Sequence, residues 1–292
     1  MNILLFGGSG QVGWELQRAL IPLGTVIAPN RAACDLADPD AIQRCIATVA
    51  PRVVVNAAAY TAVDRAEQEP DAARCLNTIA PGVIAAACAD RGALLVHYST
   101  DYVYDGSGER PWHEDDPPAP LNVYGETKLA GDLAIQRSGC AYLILRTSWV
   151  YSARGKNFPR TILGVAARRQ TLDVVADQVG SPTGADFIAD VTAHATRAVL
   201  HAPQLAGLYH LAAAGNADWC AVARHVLDLA QQRGLPLQAD ACAVRAIASA
   251  DYKTSARRPL NSRLDTTRLR DAFGIHLPTW QRGIARLIET LA

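Results

Sequence analysis

The 292-residue chain carries no net charge: Lys and Arg total 28, and Asp and Glu total 28. A one-signed surface of the kind that holds a polyanion is therefore not expected, and nucleic acid is excluded as the main partner. Seven cysteines (Cys34, Cys45, Cys75, Cys88, Cys140, Cys220, Cys242) include no C-x-x-C pair, and their number is odd. That argues against a zinc site or a disulfide framework and predicts reduced, buried thiols. No apolar stretch of membrane-spanning length is free of charge. No basic region and signal-type apolar segment precedes the first strand-like run, Asn2–Phe6. Internal repeats and low-complexity segments are also lacking. The expectation is a cytoplasmic protein with neither membrane nor nucleic acid as partner. At this length it can bury a large core as one unit or two joined lobes.

What the chain does have is a rhythm. Short apolar runs at Ile3–Phe6, Thr25–Ala28, Val53–Asn56, Leu94–Ser99 and Tyr142–Thr147 alternate with helix-like segments at Gln11–Leu20, Pro39–Val49, Ala72–Arg91 and Tyr124–Ser138. Strands without polar interruption belong in a parallel sheet covered on both faces. Asp38 is placed to cap the second helix. After residue 150, Pro182, Pro203, Pro236 and Pro259 divide shorter segments. Helices are predicted at Phe187–Leu200, Trp219–Gly234 and Thr279–Leu291, and strands at Asp173–Val175 and Gly207–Ala212. The predicted fold class is α/β, a doubly wound parallel sheet of Rossmann type with a smaller C-terminal α/β substrate lobe. Residues 1–150 form the dinucleotide-binding domain, with 187–212 returning to it. Residues 151–186 and 213–292 form the substrate lobe.

Gly7, Gly10 and Gly13 recur every third residue directly after the first strand. The first glycine permits a tight turn, the middle one lets a pyrophosphate reach the backbone, and the third lets helix and strand pack closely. Gln11 and Val12 lie in the turn, where the helix N-terminus presents N–H groups to phosphate. The second strand ends at Asn30-Arg31, where an acidic residue would select an unphosphorylated ribose. Arg31 can instead fork onto a 2′-phosphate, which favours NADPH and leaves NADH use open. Asp35 and Leu36 are candidates for the adenine edge. Ala59, Tyr60 and Thr61 follow the third strand, where small residues let a dinucleotide cross the strand ends.

Tyr124 and Lys128 are four apart and share a helix face. An ammonium beside a phenol stabilises the phenolate and brings it toward neutral working range. The same lysine can hold the cofactor ribose. Thr100 ends the fourth apolar run, where ligands of such sheets bind, and its hydroxyl can donate to a carbonyl oxygen. Adjacent Ser99 leaves the choice of hydroxyl open, with Thr100 preferred.

These residues resemble the extended short-chain dehydrogenase/reductase superfamily, and within it the dTDP-4-dehydrorhamnose reductase family. The stretches that carry the narrower resemblance are Gly10–Leu16, Asn56–Asp64, Tyr98–Tyr104, Pro120–Lys128, Arg146–Tyr151, Asp177–Thr183 and Ala256–Pro259. They run from the first strand to the last part of the chain. The resemblance implies NADPH-dependent reduction of the C4 keto group of a dTDP-linked 4-keto-6-deoxy sugar. Tyr124 would then donate the proton, Lys128 would lower its pKa and hold the nicotinamide ribose, and Thr100 would polarise the carbonyl. It also implies a cofactor contact at Tyr98 and sugar contacts at Val63, Asp101 and Trp149. Arg257 and Arg258 are candidates for the diphosphate, with Arg258 preferred. Some members hold a structural Mg²⁺ between subunits. Glu15, Asp186 and Glu289 match those positions, Asp186 being shorter than the family's Glu. A homodimer is implied with it. The alternatives are a non-catalytic dinucleotide-binding regulatory subunit and another nucleotide-sugar reductase or epimerase. A 4,6-dehydratase would want an Asp-Glu pair after the catalytic threonine, and here Asp101-Tyr102 follows.

Overall fold

The computed structural model describes residues 1–292. Its main sheet has six strands: β1 (Asn2–Phe6), β2 (Thr25–Ile27), β3 (Val53–Asn56), β4 (Leu94–Thr100), β5 (Tyr142–Thr147) and a sixth, Gly207–His210. Their order is Gly207–His210, β5, β4, β3, β1, β2, and every neighbouring pair is parallel. From β1 the chain moves outward to β2, then crosses back to β3 on the other side of β1. The crevice at the C-terminal ends of β1 and β3 is therefore the switch point, where doubly wound sheets take ligands.

Alternation along the strands explains both covered faces. Ile3, Leu5, Val53, Val55, Val96, Leu143 and Leu145 pack on the side of α1 (Gln11–Ala19) and the helix Ala185–His201. Leu4, Phe6, Val54, Leu95 and Ile144 pack with Ile42, Ile46, Ile84, Ala85 and Cys88 from α2 (Pro39–Val49) and the helical run Pro70–Arg91. Asp38 caps α2 as expected, accepting from the N–H groups of Asp40 and Ala41 at 2.9 and 3.2 Å. A second core gathers Tyr151, Ile162, Val226, Leu227, Trp280, Ile284 and Leu287. It lies among the helices Phe158–Ala166, Trp219–Gln232 and Trp280–Leu291 and a parallel pair of strands, Leu172–Val175 and Val244–Ile247. All seven cysteines are free, four of them buried.

Three features differ from the sequence expectation. The helices Phe158–Ala166 and Thr267–Phe273 were not expected. The first had a legible start, since Asn157 accepts from Arg160 N at 3.2 Å and a proline occupies its first turn. The predicted Ala72–Arg91 helix begins at Pro70 and contains a π turn over Cys75–Ile79. At 22 residues the run Pro70–Arg91 is long and apolar enough, by length and composition, to cross a membrane. Ile84, Ala85 and Cys88 on this run sit in the core under the sheet.

Candidate active site

The glycine turn is a cradle that any side chain would obstruct. Gly7 has φ +79°, and a Cβ there would lie 2.5 Å from Ala58 N. A Cβ on Gly13 would lie 2.0 Å from the Gly7 carbonyl oxygen. α1 starts at Gln11 with Gly10 as N-cap and no side-chain cap bond, which leaves its first-turn N–H groups for a ligand. The turn thus fits a pyrophosphate. Gln11 also faces the other core: its Oε1 accepts from Ser152 Oγ at 3.1 Å and from Asn157 Nδ2 at 2.8 Å. Val12 packs against the core beneath.

At the end of β2, Asn30 Oδ1 accepts from Ala33 N at 3.0 Å, shaping the turn. The Arg31 side chain is 84% exposed and pairs with Asp35 Oδ2 at 3.2 Å. The arginine is thus displayed beyond the end of β2 but already shares its charge. Leu36 packs against the core. The segment carrying Ala59, Tyr60 and Thr61 is held by Asn77 from the π turn. Asn77 Oδ1 accepts from Tyr60 N at 2.8 Å, and its Nδ2 donates to Tyr60 O at 3.1 Å and to Thr127 Oγ1 at 3.2 Å. Nothing in the local sequence singled out Asn77. The Tyr60 hydroxyl donates to Glu69 at 2.7 Å.

Tyr124 and Lys128 lie on the helix Val123–Arg137, capped by Asn122, whose Oδ1 accepts from Gly125 N at 2.8 Å. The Tyr124 phenol stands beside the Thr100 hydroxyl and edge-on to the Tyr102 ring, with centroids 5.6 Å apart. Burial pushes its pKa above the ordinary phenol value; Thr100 works against that, while Asp101 and Asp132 add to it. Thr100 is 5% exposed. Its hydroxyl donates to Asp101 Oδ1 at 3.0 Å and accepts from Tyr102 N at 3.1 Å. Ser99 points elsewhere: its hydroxyl donates to Asp132 Oδ2 at 2.8 Å. Strand alternation thus turns the two neighbouring hydroxyls to different partners.

Lys128 is 1% exposed. Its Nζ donates to the Tyr98 carbonyl at 2.6 Å and meets His97 Nε2 at 3.1 Å. Burial brings its pKa down to about 8, opposed by Asp132 one turn further along the helix. Asp132 is fully buried, bound by Ser99 and by Arg146 Nε at 3.2 Å, with Oδ1 unpartnered. What Tyr98 offers the site is its carbonyl, because its ring packs against the core on the α1 side and its hydroxyl pairs with Thr192 at 2.7 Å.

Asp101 is 3% exposed, and its Oδ2 has no partner. Burial raises its carboxyl to about 6, against the hydroxyls of Ser262 and Thr100. Trp149 has φ +50°, and its ring stacks on Trp219 with centroids 3.4 Å apart. Val63 opens the short helix Val63–Ala66. Arg258 is not a free cation: it forks onto Asp64, with Nη2 to Oδ2 at 2.6 Å and Nη1 to Oδ1 at 3.1 Å. The next peptide back is also tied down, with Asn122 Nδ2 donating to Arg257 O at 2.8 Å.

The three acidic residues expected around Mg²⁺ do not meet. Glu15 lies 3.8 Å from Arg18, Asp186 pairs with Arg286 at 3.0 Å and Glu289 pairs with Arg233 at 2.5 Å. Asp186 and Glu289 do line one cleft of about 670 Å³. No group of three or more His, Cys, Asp or Glu gathers at metal-binding distance. With each carboxylate already neutralised by an arginine, one chain alone does not fit the ion.

Sequence reasoning missed Asn77, His97, Ser262 and Asp64, which act through other residues. The signal available was a polar side chain within or ending an apolar run: His97 inside β4 and Asn56 at the end of β3.

The comparisons with known proteins agree with this geometry. The family model described as "RmlD substrate binding domain" matches residues 1–292. The dTDP-4-dehydrorhamnose reductase of Escherichia coli (strain K12) is 48% identical over 295 residues, covering 100% of this chain and 98% of that protein. The Burkholderia thailandensis enzyme of the same name is 44% identical over 297 residues, covering 100% and 99%. Among solved structures, dTDP-4-dehydrorhamnose reductase from Bacillus anthracis in complex with NADP superposes with TM-score 0.89 at 30% identity, covering 99% of both chains. That from Clostridium acetobutylicum gives 0.91 at 32%, covering 100% and 99%. A UDP-glucose 4-epimerase from Thermus thermophilus gives 0.81 at 19% identity, which shows the shared fold. By a full-length model match and by relatives up to 48% identical over the whole chain, this chain belongs to the dTDP-4-dehydrorhamnose reductase family.

Proposed function

We propose that this protein reduces the C4 keto group of dTDP-4-dehydro-L-rhamnose to give dTDP-L-rhamnose, with NADPH as the reductant. The observation that carries the reading is the phenol of Tyr124 beside the hydroxyl of Thr100 at the C-terminal end of β4, two strands from the glycine turn. When bound, the reduced nicotinamide supplies the hydride that adds to C4. The residues of this chain supply the rest. Thr100 turns its proton from Asp101 to the carbonyl oxygen and polarises it. Tyr124 gives its proton to the oxygen as negative charge develops there, so that one hydride and one proton complete the alcohol. Lys128, one turn along the helix, holds the proton that restores the phenol. Asp101, relieved of Thr100, accepts from sugar hydroxyls.

The acidic Asp101 and aromatic Trp149 support a sugar as the substrate's reacting part. Arg258 engages the diphosphate by exchanging Asp64 for it. Residues 1–150, with 187–212, carry the dinucleotide; 151–186 and 213–292 form the lobe that closes on the sugar nucleotide. The site residues assigned to the cofactor are Gly7, Gly10, Gln11, Val12, Gly13, Asn30, Arg31, Asp35, Leu36, Ala59, Tyr60, Thr61 and Tyr98, together with Tyr124 and Lys128. The setting is the cytoplasm and the assembly a homodimer. An Mg²⁺ at Glu15, Asp186 and Glu289 would need a second copy to complete it and would be structural.

The test is to mix the purified protein, NADPH and dTDP-4-dehydro-L-rhamnose and follow nicotinamide absorbance. Stoichiometric oxidation with formation of dTDP-L-rhamnose is expected. NADPH binding without any turnover would instead favour the regulatory-subunit reading.

A further inference from the structure

His97, Asn56 and Lys128 form a buried chain that the reaction as written does not use. They are 0%, 1% and 1% exposed. Ala58 N donates to Asn56 Oδ1 at 3.2 Å, which fixes the amide: its Nδ2 is the atom facing His97 Nδ1, also at 3.2 Å. An amide nitrogen only donates, so His97 Nδ1 must accept. The one proton of the neutral ring then sits on Nε2, 3.1 Å from Lys128 Nζ. A ring N–H pointing there makes a hydrogen bond with an amine lone pair and clashes with an ammonium N–H. An ammonium at Lys128 needs the opposite ring, with Nε2 accepting and the proton on Nδ1, against the Asn56 amide. The three residues cannot all be satisfied while the lysine is charged.

We propose that His97, oriented by Asn56, is a positioning residue that sets the proton affinity of Lys128, and that the ring changes tautomer each time the lysine gains or loses its proton. When Lys128 gives up a proton, to the spent phenolate or to solvent, the ring releases its Nδ1 proton and takes one up at Nε2, so that the net loss is one proton; protonation of the lysine reverses both. The ring itself stays neutral, since burial and Lys128 both hold its pKa well below the ordinary histidine value. The other titratable groups around the lysine are few. On its own helix stand Tyr124 and Asp132, the latter opposing loss of the proton. Arg146 of β5 is bound to Asp132. Asp101 after β4 acts on Tyr124, and Tyr98 contributes a carbonyl. The consequence is a lysine that surrenders its proton readily, as resupply of a spent tyrosine requires. This use of the lysine rests on the proposed reaction; the tautomer linkage does not.

The experiment is long-range ¹H–¹⁵N correlation of the histidine-labelled full chain over about pH 6 to pH 10, with His97 assigned by loss of its signal in His97→Gln. A single interchange from the Nδ1–H to the Nε2–H form as pH rises is expected, at the midpoint of the alkaline limb of the kcat/KM profile. In Lys128→Met the interchange disappears. In Asn56→Asp the carboxylate accepts from both Ala58 N–H and ring Nδ1–H, which locks the ring and shifts the alkaline limb up by roughly one unit, tenfold in proton affinity. One tautomer throughout the range in the parent protein, or an interchange that survives in Lys128→Met, overturns the linkage. A locked ring in Asn56→Asp with the limb unmoved overturns the positioning role. The spectra need no turnover, so a failed reductase assay leaves the linkage testable.

Discussion

Replacing Asp101 with asparagine should raise stability at pH 7 relative to that at pH 4, and make the protein worse at its work. The carboxyl is 3% exposed, with one oxygen unpartnered, and burial raises its pKa from 3.8 to about 6. A pKa raised on folding means that the folded state binds the proton more tightly than the unfolded one. The protonated form therefore favours folding below pH 3.8, and that advantage is lost as pH rises through 6. At pH 7 the ionised carboxylate costs about 3 kcal/mol relative to its unfolded reference, and at pH 4 much less. Asparagine has no such dependence. Its own fixed cost, an amide N–H in place of the unpartnered oxygen, is the same at both pH values and cancels. Urea unfolding of parent and Asp101→Asn at the two pH values should show the variant gaining about 2 kcal/mol between pH 4 and pH 7. In turnover, exchanging a charged acceptor for a donor should lower kcat/KM by roughly 10- to 100-fold, the value of a hydrogen bond to a charged group. A stability difference independent of pH would refute the account of Asp101 as a buried, strained anion kept for a ligand.

Tyr124→Phe should bind NADPH as the parent does and lose about 100-fold or more in kcat, since only the transferable proton is removed. Parental turnover would reject Tyr124 as the proton donor. Arg31→Asp should move the ratio of kcat/KM values from NADPH toward NADH, because the exposed guanidinium is replaced by an anion beside Asp35; an unchanged ratio would reject the ribose argument. Gly13→Ala places a methyl 2.0 Å from the Gly7 carbonyl oxygen. Thermal unfolding should show a loss of about 1–3 kcal/mol, and fluorescence titration a weaker affinity for NADPH. Parental values of both would mean that the turn can open.

The sheet was legible because its cause is local. Val53-Val54-Val55 and Leu94-Leu95-Val96 are buried without exception, and a strand covered on both faces shows that directly in its composition. The glycine turn was legible in good part for the same reason: Gly10 and Gly13 are required by their close approach to the Gly7 and Gly8 backbone, whereas Gly7 is also hemmed in by Ala57 and Ala58. Tyr124 and Lys128 could be paired from helical periodicity alone. The boundary errors were small at these elements. The larger misses, Phe158–Ala166 and the π turn at Cys75–Ile79, fall where a cap or a long-range contact governs rather than periodicity. The π turn places Asn77 against Tyr60 and Thr127, partners 17 and 50 residues away, and no local window contains them.

The chain's own order of residues thus determined the sheet, the glycine turn and the proposed catalytic trio, because each is written in spacing that a strand or helix reads directly. Only the tertiary structure decided what charge those groups carry and which are spoken for. Strand alternation sent Ser99 to Asp132 and left Thr100 to Tyr124. Distant segments brought Asp64 onto Arg258, arginines onto Asp186 and Glu289, and His97 with Asn56 onto the lysine. Pairing and burial depend on neighbours remote in sequence, and those neighbours set the proton affinities on which the proposed reaction depends.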